Sequence, residues 1–271
     1  MRLAIIGCSF AGGVYSEEQT KVKISKNKEI SVNIIDAFKG WPYELHKKYN
    51  IETHLFSHIG DGLFATRFFI DEIIHHYGLS FFDKIIISTS VFEPRVLLYK
   101  DYKFGVSKNK NNFFYYDVLA SKDTVEDYLP NHINLWQLKE NFDRSDQDLR
   151  YNLLAGVAKY ARSNYARKGI VHILNYIDSL GPKFLIFPYG WLDNEFPLTQ
   201  KFQNENFLSY DLLKKYKNFK CFKKQSFTKF LVRNYDDTKL TVMDGMHHNE
   251  EGQKILLNVY LKDILEEFLN D

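Results

Sequence analysis

The chain has 271 residues, of which 45% are hydrophobic and 26% charged, a composition typical of a globular domain that can bury a sizeable core. Its 36 basic and 34 acidic residues leave a formal net charge of +2, so the charge balance favours no nucleic-acid partner. The two cysteines, Cys8 and Cys221, exclude a disulfide framework, and no apolar run approaches the roughly 18 residues of a membrane span.

Strand-like and helix-like segments alternate along the chain, and short apolar runs of this kind are typical of buried strands. We expect strands at 2–7, 30–36, 51–59, 83–87, 182–187 and 240–242, and helices at 41–48, 64–77, 149–180 and 250–269. Because the first apolar run is only as long as a strand, we expect no signal peptide and a cytoplasmic protein.

Three segments are less regular. Residues 14–28 are polar and rich in lysine, which favours a surface helix or loop, and residues 195–235 are ambiguous and partly helical. A break near Gly169 is expected within the helical pattern of 149–180. The closing helix is amphipathic. The residues expected to face inward from it are Ile255, Leu256, Val259, Ile264, Leu265 and Phe268.

The segment 96–148 shows no long periodicity and is rich in Asn, Lys, Asp and Tyr. Because so long a plain loop is uncommon, we interpret it as an insertion with short helices or a hairpin, a lid being one interpretation. The alternation elsewhere predicts a single α/β domain over 1–271. Its expected architecture is a three-layer α/β/α sandwich around a mainly parallel sheet.

Residues able to do chemistry follow several of the predicted strands. They are Ser9, Gly60, Ser90, Tyr189 and Asp244. In a mainly parallel sheet covered by helices, ligands bind at the carboxyl ends of the strands. We therefore expect these residues to gather at one edge of the sheet, although the sequence scatters them.

The two ends of the chain carry the groups that acyl transfer requires. Gly7-Cys8-Ser9-Phe10 places a serine at a tight corner after the first strand, and Asp244 precedes His247 by three residues near the last helix. A serine hydroxyl needs a neighbouring base, which neutral His247 could supply while Asp244 orients its ring. The backbone amides of Ser9 and Gly60 are candidates for an oxyanion hole.

These motifs resemble those of the SGNH (GDSL-like) hydrolases. Gly7-Cys8-Ser9-Phe10 is similar to the first block, usually Gly-Asp-Ser, and Asp244-Gly245-Met246-His247 matches the Asp-x-x-His block. Residues 248–252 are similar to the Pro-Asn-x-x-Gly tail often found there, and Gly60 falls where the second block has its oxyanion glycine. The resemblance implies a flavodoxin-like fold, an acyl-serine intermediate and no cofactor.

Two blocks depart from the family pattern. Cys8 stands where an aspartate is usual, and Ser88-Thr89-Ser90-Val91 aligns with the Gly-x-Asn-Asp block, so Ser90 takes the place of the oxyanion asparagine. Asn194 is another possible donor. The candidates for lining a substrate cleft, with core or surface packing as the alternative, are Tyr189, Trp191 and Arg95.

The resemblance predicts a serine-dependent ester hydrolase that removes a small acyl group, with acetyl on a carbohydrate as one candidate. The expected partner is a small-molecule or carbohydrate ester substrate. An O-acyltransferase with the same triad is an alternative, because water and another hydroxyl can both resolve an acyl-serine. A non-catalytic glycan-binding relative is a second alternative, which the altered third block and the 16% aromatic content motivate.

Each motif also has a plainer explanation. Ser9 could cap the first helix, and Asp244 with His247 could form a turn and a helix cap. His248 competes with His247 for the role of base, and Asp244 with both histidines could hold a metal ion.

A nucleotide-binding, Rossmann-like protein is a further alternative. The run from Gly7 to Gly12 is one substitution from the dinucleotide fingerprint. Asp36 ends the second predicted strand, where an acid that binds ribose would be expected.

Overall fold

The computed structural model describes residues 1–25, 28–58, 63–89, 103–119, 164–181, 183–190, 210–221, 225–241 and 247–271. The strands are β1 (Arg2–Cys8), β2 (Val14–Ser25), β3 (Lys28–Asp36), β4 (Glu52–His58), β5 (Lys84–Thr89), β6 (Lys103–Lys110), β7 (Phe113–Leu119), β8 (Phe184–Pro188) and β9 (Lys220–Cys221). The α-helices are α1 (Ser9–Gly12), α2 (Trp41–Tyr49), α3 (Leu63–Tyr77), α4 (Asn164–Ser179), α5 (Tyr210–Leu213), α6 (Phe227–Asn234), α7 (Glu250–Ile255) and α8 (Lys262–Asn270). None of these helices is long and apolar enough to cross a bilayer.

The main sheet has the strand order β6-β7-β4-β1-β5-β8-β9 in the described residues. All its neighbouring pairs are parallel except β6 with β7. The run β4-β1-β5-β8-β9 reproduces the 2-1-3-4-5 order of a flavodoxin-like, doubly wound sheet. This topology confirms the predicted fold, and it puts the switch point, where such sheets bind ligands, at the carboxyl ends of β1 and β5.

Helices cover both faces of this sheet, which gives the three predicted layers. Alternate residues of β1 point to opposite sides: Leu3 and Ile5 join one apolar cluster, and Ala4 and Ile6 join the other. Residues of α2 and the C-terminal helices complete the first cluster, and residues of α3 and α4 complete the second. Each fully buried Leu, Ile or Phe contributes about 1.5–3 kcal/mol relative to an exposed one, so the two clusters hold the layers together.

Part of the predicted insertion belongs to the main sheet. Strands β6 and β7 form a hairpin, which is one of the two forms expected within 96–148, and β7 extends the sheet by pairing with β4. The turn is Asn111-Asn112, both with positive φ (51° and 66°). Asparagine tolerates this left-handed conformation, which two-residue hairpin turns require. The rest of the expected insertion lies outside the described residues.

The prediction of a surface helix or loop at 14–28 is wrong. Residues 14–25 form β2, which pairs antiparallel with β3 in a separate two-stranded sheet. The lysines obscured a pattern of period two, in which Thr20, Val22 and Ile24 alternate with lysines. The predicted strand 30–36 exists as β3, but it lies outside the main sheet.

Two details of the predicted helices are also wrong. Helix α4 runs through Gly169 without a break, because packing of its apolar face outweighs a glycine cost of about 1 kcal/mol. In the closing helix, Val259 is 52% exposed and does not face inward. A π-helical turn at Leu256–Tyr260, with a 2.9 Å hydrogen bond from the Leu261 amide to the Leu256 carbonyl, changes the phase of the helix there.

The corner after β1 requires a glycine at position 7. A Cβ there would lie 2.6 Å from Cβ of Ala11 and 3.3 Å from Cβ of Ser88, so α1 could not pack this closely on β1 and β5. We expect Gly7→Ala to lower the free energy of unfolding by about 1–3 kcal/mol, the usual cost of overpacking, measured by urea denaturation.

The double variant Gly7→Ala/Ala11→Gly is the control for this interpretation, because it removes the methyl group that the new Cβ would meet. We expect it to lose less stability than the sum of the two single variants. A single Gly7→Ala variant as stable as the parent chain would contradict the tight packing of this corner.

Candidate active site

The first strand ends in a corner that puts Ser9 at the switch point. Strand β1 stops at Cys8, which keeps an extended backbone (φ −96°, ψ −161°) as the N-cap residue, and α1 begins at Ser9. Ser9 is therefore the first helical residue and does not occupy the capping position. The first amides of a helix have no intrahelical partner.

An imidazole from the other end of the chain lies beside this corner. The ring of Phe10, the residue after Ser9, stacks on the ring of His247, with centroids 4.4 Å apart and an interplanar angle of 21°. Phe10 is 5% exposed, whereas His247 keeps partial access to solvent. The fold therefore brings together the two motifs that the sequence places near opposite ends.

The backbone that carries His247 is fixed by the start of α7. Asn249 is the N-cap residue, and its Oδ1 accepts hydrogen bonds from the amides of Glu251 and Gly252, both at 3.1 Å. The Asn249 amide donates to the Leu240 carbonyl at 2.8 Å, and its side-chain nitrogen donates to a neighbouring carbonyl at 2.9 Å. Asparagine is among the best N-cap residues, so the cap belongs to Asn249, and His247 does not serve it.

Gly252 lets α7 pack closely against the residue after His247. A Cβ at position 252 would lie 2.8 Å from Cβ of His248 and 2.9 Å from the Leu240 carbonyl oxygen. Only glycine fits at this approach without a shift. The similarity of 248–252 to the family tail thus corresponds to a physical need: the cap and the close contact together hold the histidine segment on the end of the helix.

Tyr189 lies beneath the two histidines. Its side chain is fully buried, its ring stacks on Phe10 at 4.8 Å, and its hydroxyl is 2.5 Å from Nδ1 of His248. Burial, with a smaller contribution from Cys8, raises the pKa of Tyr189 well above its ordinary value, so the hydroxyl keeps its proton. The complete burial of the ring fits core packing, which the sequence left open as the alternative for Tyr189.

A chain of hydrogen bonds links these buried groups. The Trp41 amide donates to Oε1 of Gln253 at 3.2 Å, and Nε2 of Gln253 is 3.5 Å from the Tyr189 hydroxyl, to which it donates. That hydroxyl is also hydrogen-bonded to Nδ1 of His248. His248 is itself buried, with 3% of its surface exposed.

Several predicted site residues lie outside the described residues. They are Gly60, Ser90, Arg95, Trp191, Asn194 and Asp244. For Ser9 the structure describes the backbone, and for His247 and Tyr189 it describes the side chains as well. Of the predicted set, it brings the Ser9 corner, His247 and Tyr189 together at the carboxyl edge of the sheet.

The topology does not have the unit that dinucleotide binding needs. A long helix should follow the glycine-rich turn, but α1 has four residues and leads into β2. Asp36 ends β3, which pairs only with β2 among the described strands, and its carboxylate accepts from the Phe38 amide at 3.0 Å. The acid therefore does not lie on a strand beside β1, where a ribose would be bound.

Within the described stretches, no group of three or more His, Cys, Asp or Glu side chains could hold a metal ion. Cys8 and Cys221 are both buried there and form no disulfide.

Sequence reasoning missed three residues of this site: Phe10, His248 as a buried group, and Gln253. Phe10 follows the serine, where either a core or a surface residue would fit. Gln253 lies one position after Gly252 on the buried side of α7, and it is 1% exposed. A glutamine on the inner face of an amphipathic helix is a signal, because a buried amide needs partners.

No family model and no curated protein matches the chain. Among solved structures, it is similar to a lipase/acylhydrolase from Enterococcus faecalis, with 11% identity, 98% of this chain and 97% of that chain covered, and a TM-score of 0.46. It is also similar to a psychrotrophic esterase from Pseudoalteromonas sp., with 9% identity, 100% and 99% covered, and a TM-score of 0.46. A third is an acetylxylan esterase from Geobacillus stearothermophilus, with 11% identity, 97% and 93% covered, and a TM-score of 0.46. At this level of similarity, we assign the fold from the strand order of the chain itself.

Proposed function

We propose that the chain is a serine-dependent ester hydrolase that removes a small acyl group through an acyl-serine intermediate. One observation carries this proposal: the ring of Phe10 stacks on His247 at 4.4 Å, which brings an imidazole beside the corner that bears Ser9. A serine at the switch point and a neighbouring partly exposed histidine are two of the three groups of a serine-histidine-acid set.

In the proposed reaction, His247 accepts the hydroxyl proton of Ser9 as the oxygen attacks the ester carbonyl. The bond to the leaving alcohol then breaks, and the alcohol takes that proton from the imidazolium. A water molecule, deprotonated by His247, then attacks the acyl carbonyl. The bond to Ser9 Oγ breaks, Oγ takes the proton back from the imidazolium, and the acid is released. We assign Asp244 to orient the ring of His247. General-base assistance of this kind is worth about 10²–10⁴-fold in rate.

The oxyanion needs donors that face the carbonyl oxygen. We assign the Ser9 amide at the start of α1, with the Gly60 amide and the Ser90 hydroxyl as further donors. Each such donor is worth about 10²–10³-fold. We assign Trp191 and Arg95 to the substrate cleft. We assign Tyr189 to the packing beneath that cleft, since its side chain is completely buried.

The test measures turnover of p-nitrophenyl acetate and of a peracetylated monosaccharide, and reaction with a serine-directed organophosphate. We expect the chain to cleave these esters and to lose this activity after treatment with the organophosphate. Peptide mass spectrometry should then find a single adduct, on Ser9. Transfer of the acyl group to added glycerol in preference to water would indicate the acyltransferase alternative. A chain that neither turns over these esters nor forms an adduct would contradict the proposal.

A further inference from the structure

We infer that Tyr189 and His248 form a buried brace that positions the proposed base, His247, against Phe10. The brace is the Tyr189 hydroxyl bonded to Nδ1 of His248 together with the Tyr189 ring packed on Phe10. Its effect on turnover rests on the proposed function, whereas its effect on the geometry of the two histidines does not. Tyr189 and His248 are positioning residues, and neither contacts the substrate.

Tyr189 reaches His247 by two routes. Its ring stacks on Phe10 at 4.8 Å, and Phe10 stacks on His247 at 4.4 Å, so Tyr189 supports the imidazole through a layer of rings. Its hydroxyl bonds His248 at 2.5 Å, which restrains the backbone that carries His247. The first route needs only the aromatic ring, and the second needs only the hydroxyl. Tyr189→Phe therefore removes one route and leaves the other.

Contacts with α6 hold the Tyr189–His248 brace in place. The Tyr189 carbonyl accepts from both the amide and the hydroxyl of Thr228, at 3.1 and 3.0 Å. The ring of Phe227 packs on Tyr189 at 5.2 Å and on His248 at 5.1 Å, which closes the pair from α6. A tyrosine fixed at its backbone, its ring and its hydroxyl can hold a neighbour in a single position.

The direction of the hydrogen bonds separates the two histidines by role. Because a buried phenol keeps its proton, we assign the Tyr189 hydroxyl as donor to Nδ1 of His248. In the neutral ring this assignment puts the proton on Nε2 and leaves no free lone pair to take a proton from a serine. His248 is also 3% exposed, which keeps it from a substrate that arrives from solvent. His247 is partly exposed and stacked beside the Ser9 corner. We therefore assign His247 as base and His248 as support.

The experiment compares four variants. Tyr189→Phe removes the donor, His248→Leu removes the acceptor, and His248→Asn keeps an acceptor oxygen near the position of Nδ1. Tyr49→Phe is the matched control: Tyr49 packs against the same apolar cluster, and its buried hydroxyl has no hydrogen-bond partner in the described part of the chain. Removing an unpaired hydroxyl should therefore leave activity unchanged.

We expect Tyr189→Phe and His248→Leu each to lower kcat by about tenfold or more with KM within about twofold, since a small misplacement of a catalytic group can cost up to about 10²-fold. His248→Asn should retain most of kcat. The double variant Tyr189→Phe/His248→Leu should be no worse than either single variant, because both remove the same bond. If kcat of Tyr189→Phe and of His248→Leu equals that of Tyr49→Phe, the inference is wrong.

Histidine NMR tests the same brace without substrate. In the parent chain, ¹⁵N shifts should show His248 as the Nε2–H tautomer, and the His247 ring protons should carry a ring-current shift from Phe10. Both signatures should weaken in Tyr189→Phe and persist in Tyr49→Phe. If they are unaltered in Tyr189→Phe, the brace does not exist. A chain with these signatures but no esterase activity would retain the brace and refute the proposed function.

Discussion

Ser9→Ala is expected to abolish ester hydrolysis while the fold stays intact. The hydroxyl is the proposed nucleophile, and removing a serine nucleophile from such a set lowers kcat by about 10⁴-fold or more. Alanine is a good helix former, so it fits the first position of α1 without strain. The measurement is turnover of p-nitrophenyl acetate together with organophosphate labelling, and the variant should form no adduct.

Ser179→Ala is the matched control, because Ser179 is a serine at the end of α4 whose hydroxyl donates to a local carbonyl, that of Tyr176. It should keep full activity and full labelling. Ligand binding by Ser9→Ala distinguishes an enzyme from a glycan-binding module. An enzyme would lose turnover and still bind its ester or glycan, whereas a glycan-binding module would be equally inactive before and after the change. Retained turnover in Ser9→Ala would exclude Ser9 as nucleophile.

The parallel sheet could be predicted because its strands are short, continuous apolar runs. β1, β5 and β8 are buried on both faces, and each contains a continuous run of apolar residues. The gathering of Ser9, His247 and Tyr189 follows from the same signal. Once successive strands run parallel, the residues after them lie at one edge, whatever their separation in sequence.

The antiparallel additions could not be predicted in the same way. β2 and β6 lie outside the parallel core and are rich in lysine, whereas β3, the partner of β2, has the apolar residues that predicted a strand at 30–36. The polar composition then hides the alternation of residues with period two that marks a strand, as at 14–25. The turn at Asn111-Asn112 was the available signal, because two residues that tolerate positive φ between extended segments indicate a hairpin.

The roles of the two histidines also needed the fold. His247 and His248 are adjacent. The Asp-x-x-His spacing favours His247 as base, but it says nothing about the role of His248. Only the position of Tyr189, which follows β8, shows that His248 faces into the core and His247 toward the Ser9 corner. Hydrogen-bond direction depends on contacts between distant segments, and a local pattern does not contain it.

His247→Ala is expected to lower kcat for p-nitrophenyl acetate by about 10²–10⁴-fold, which is the contribution of a general base. The change removes the proposed base and leaves α7 capped, since Asn249 makes the capping bonds. Added imidazole should restore part of the rate by entering the space beside Phe10. His248→Asn serves as the comparison and should keep most of the activity. The reverse outcome, an active His247→Ala and an inactive His248→Asn, would transfer the base to His248. It would also mean that the stacking of Phe10 on His247, the contact that joins the two ends of the chain, serves packing and not catalysis.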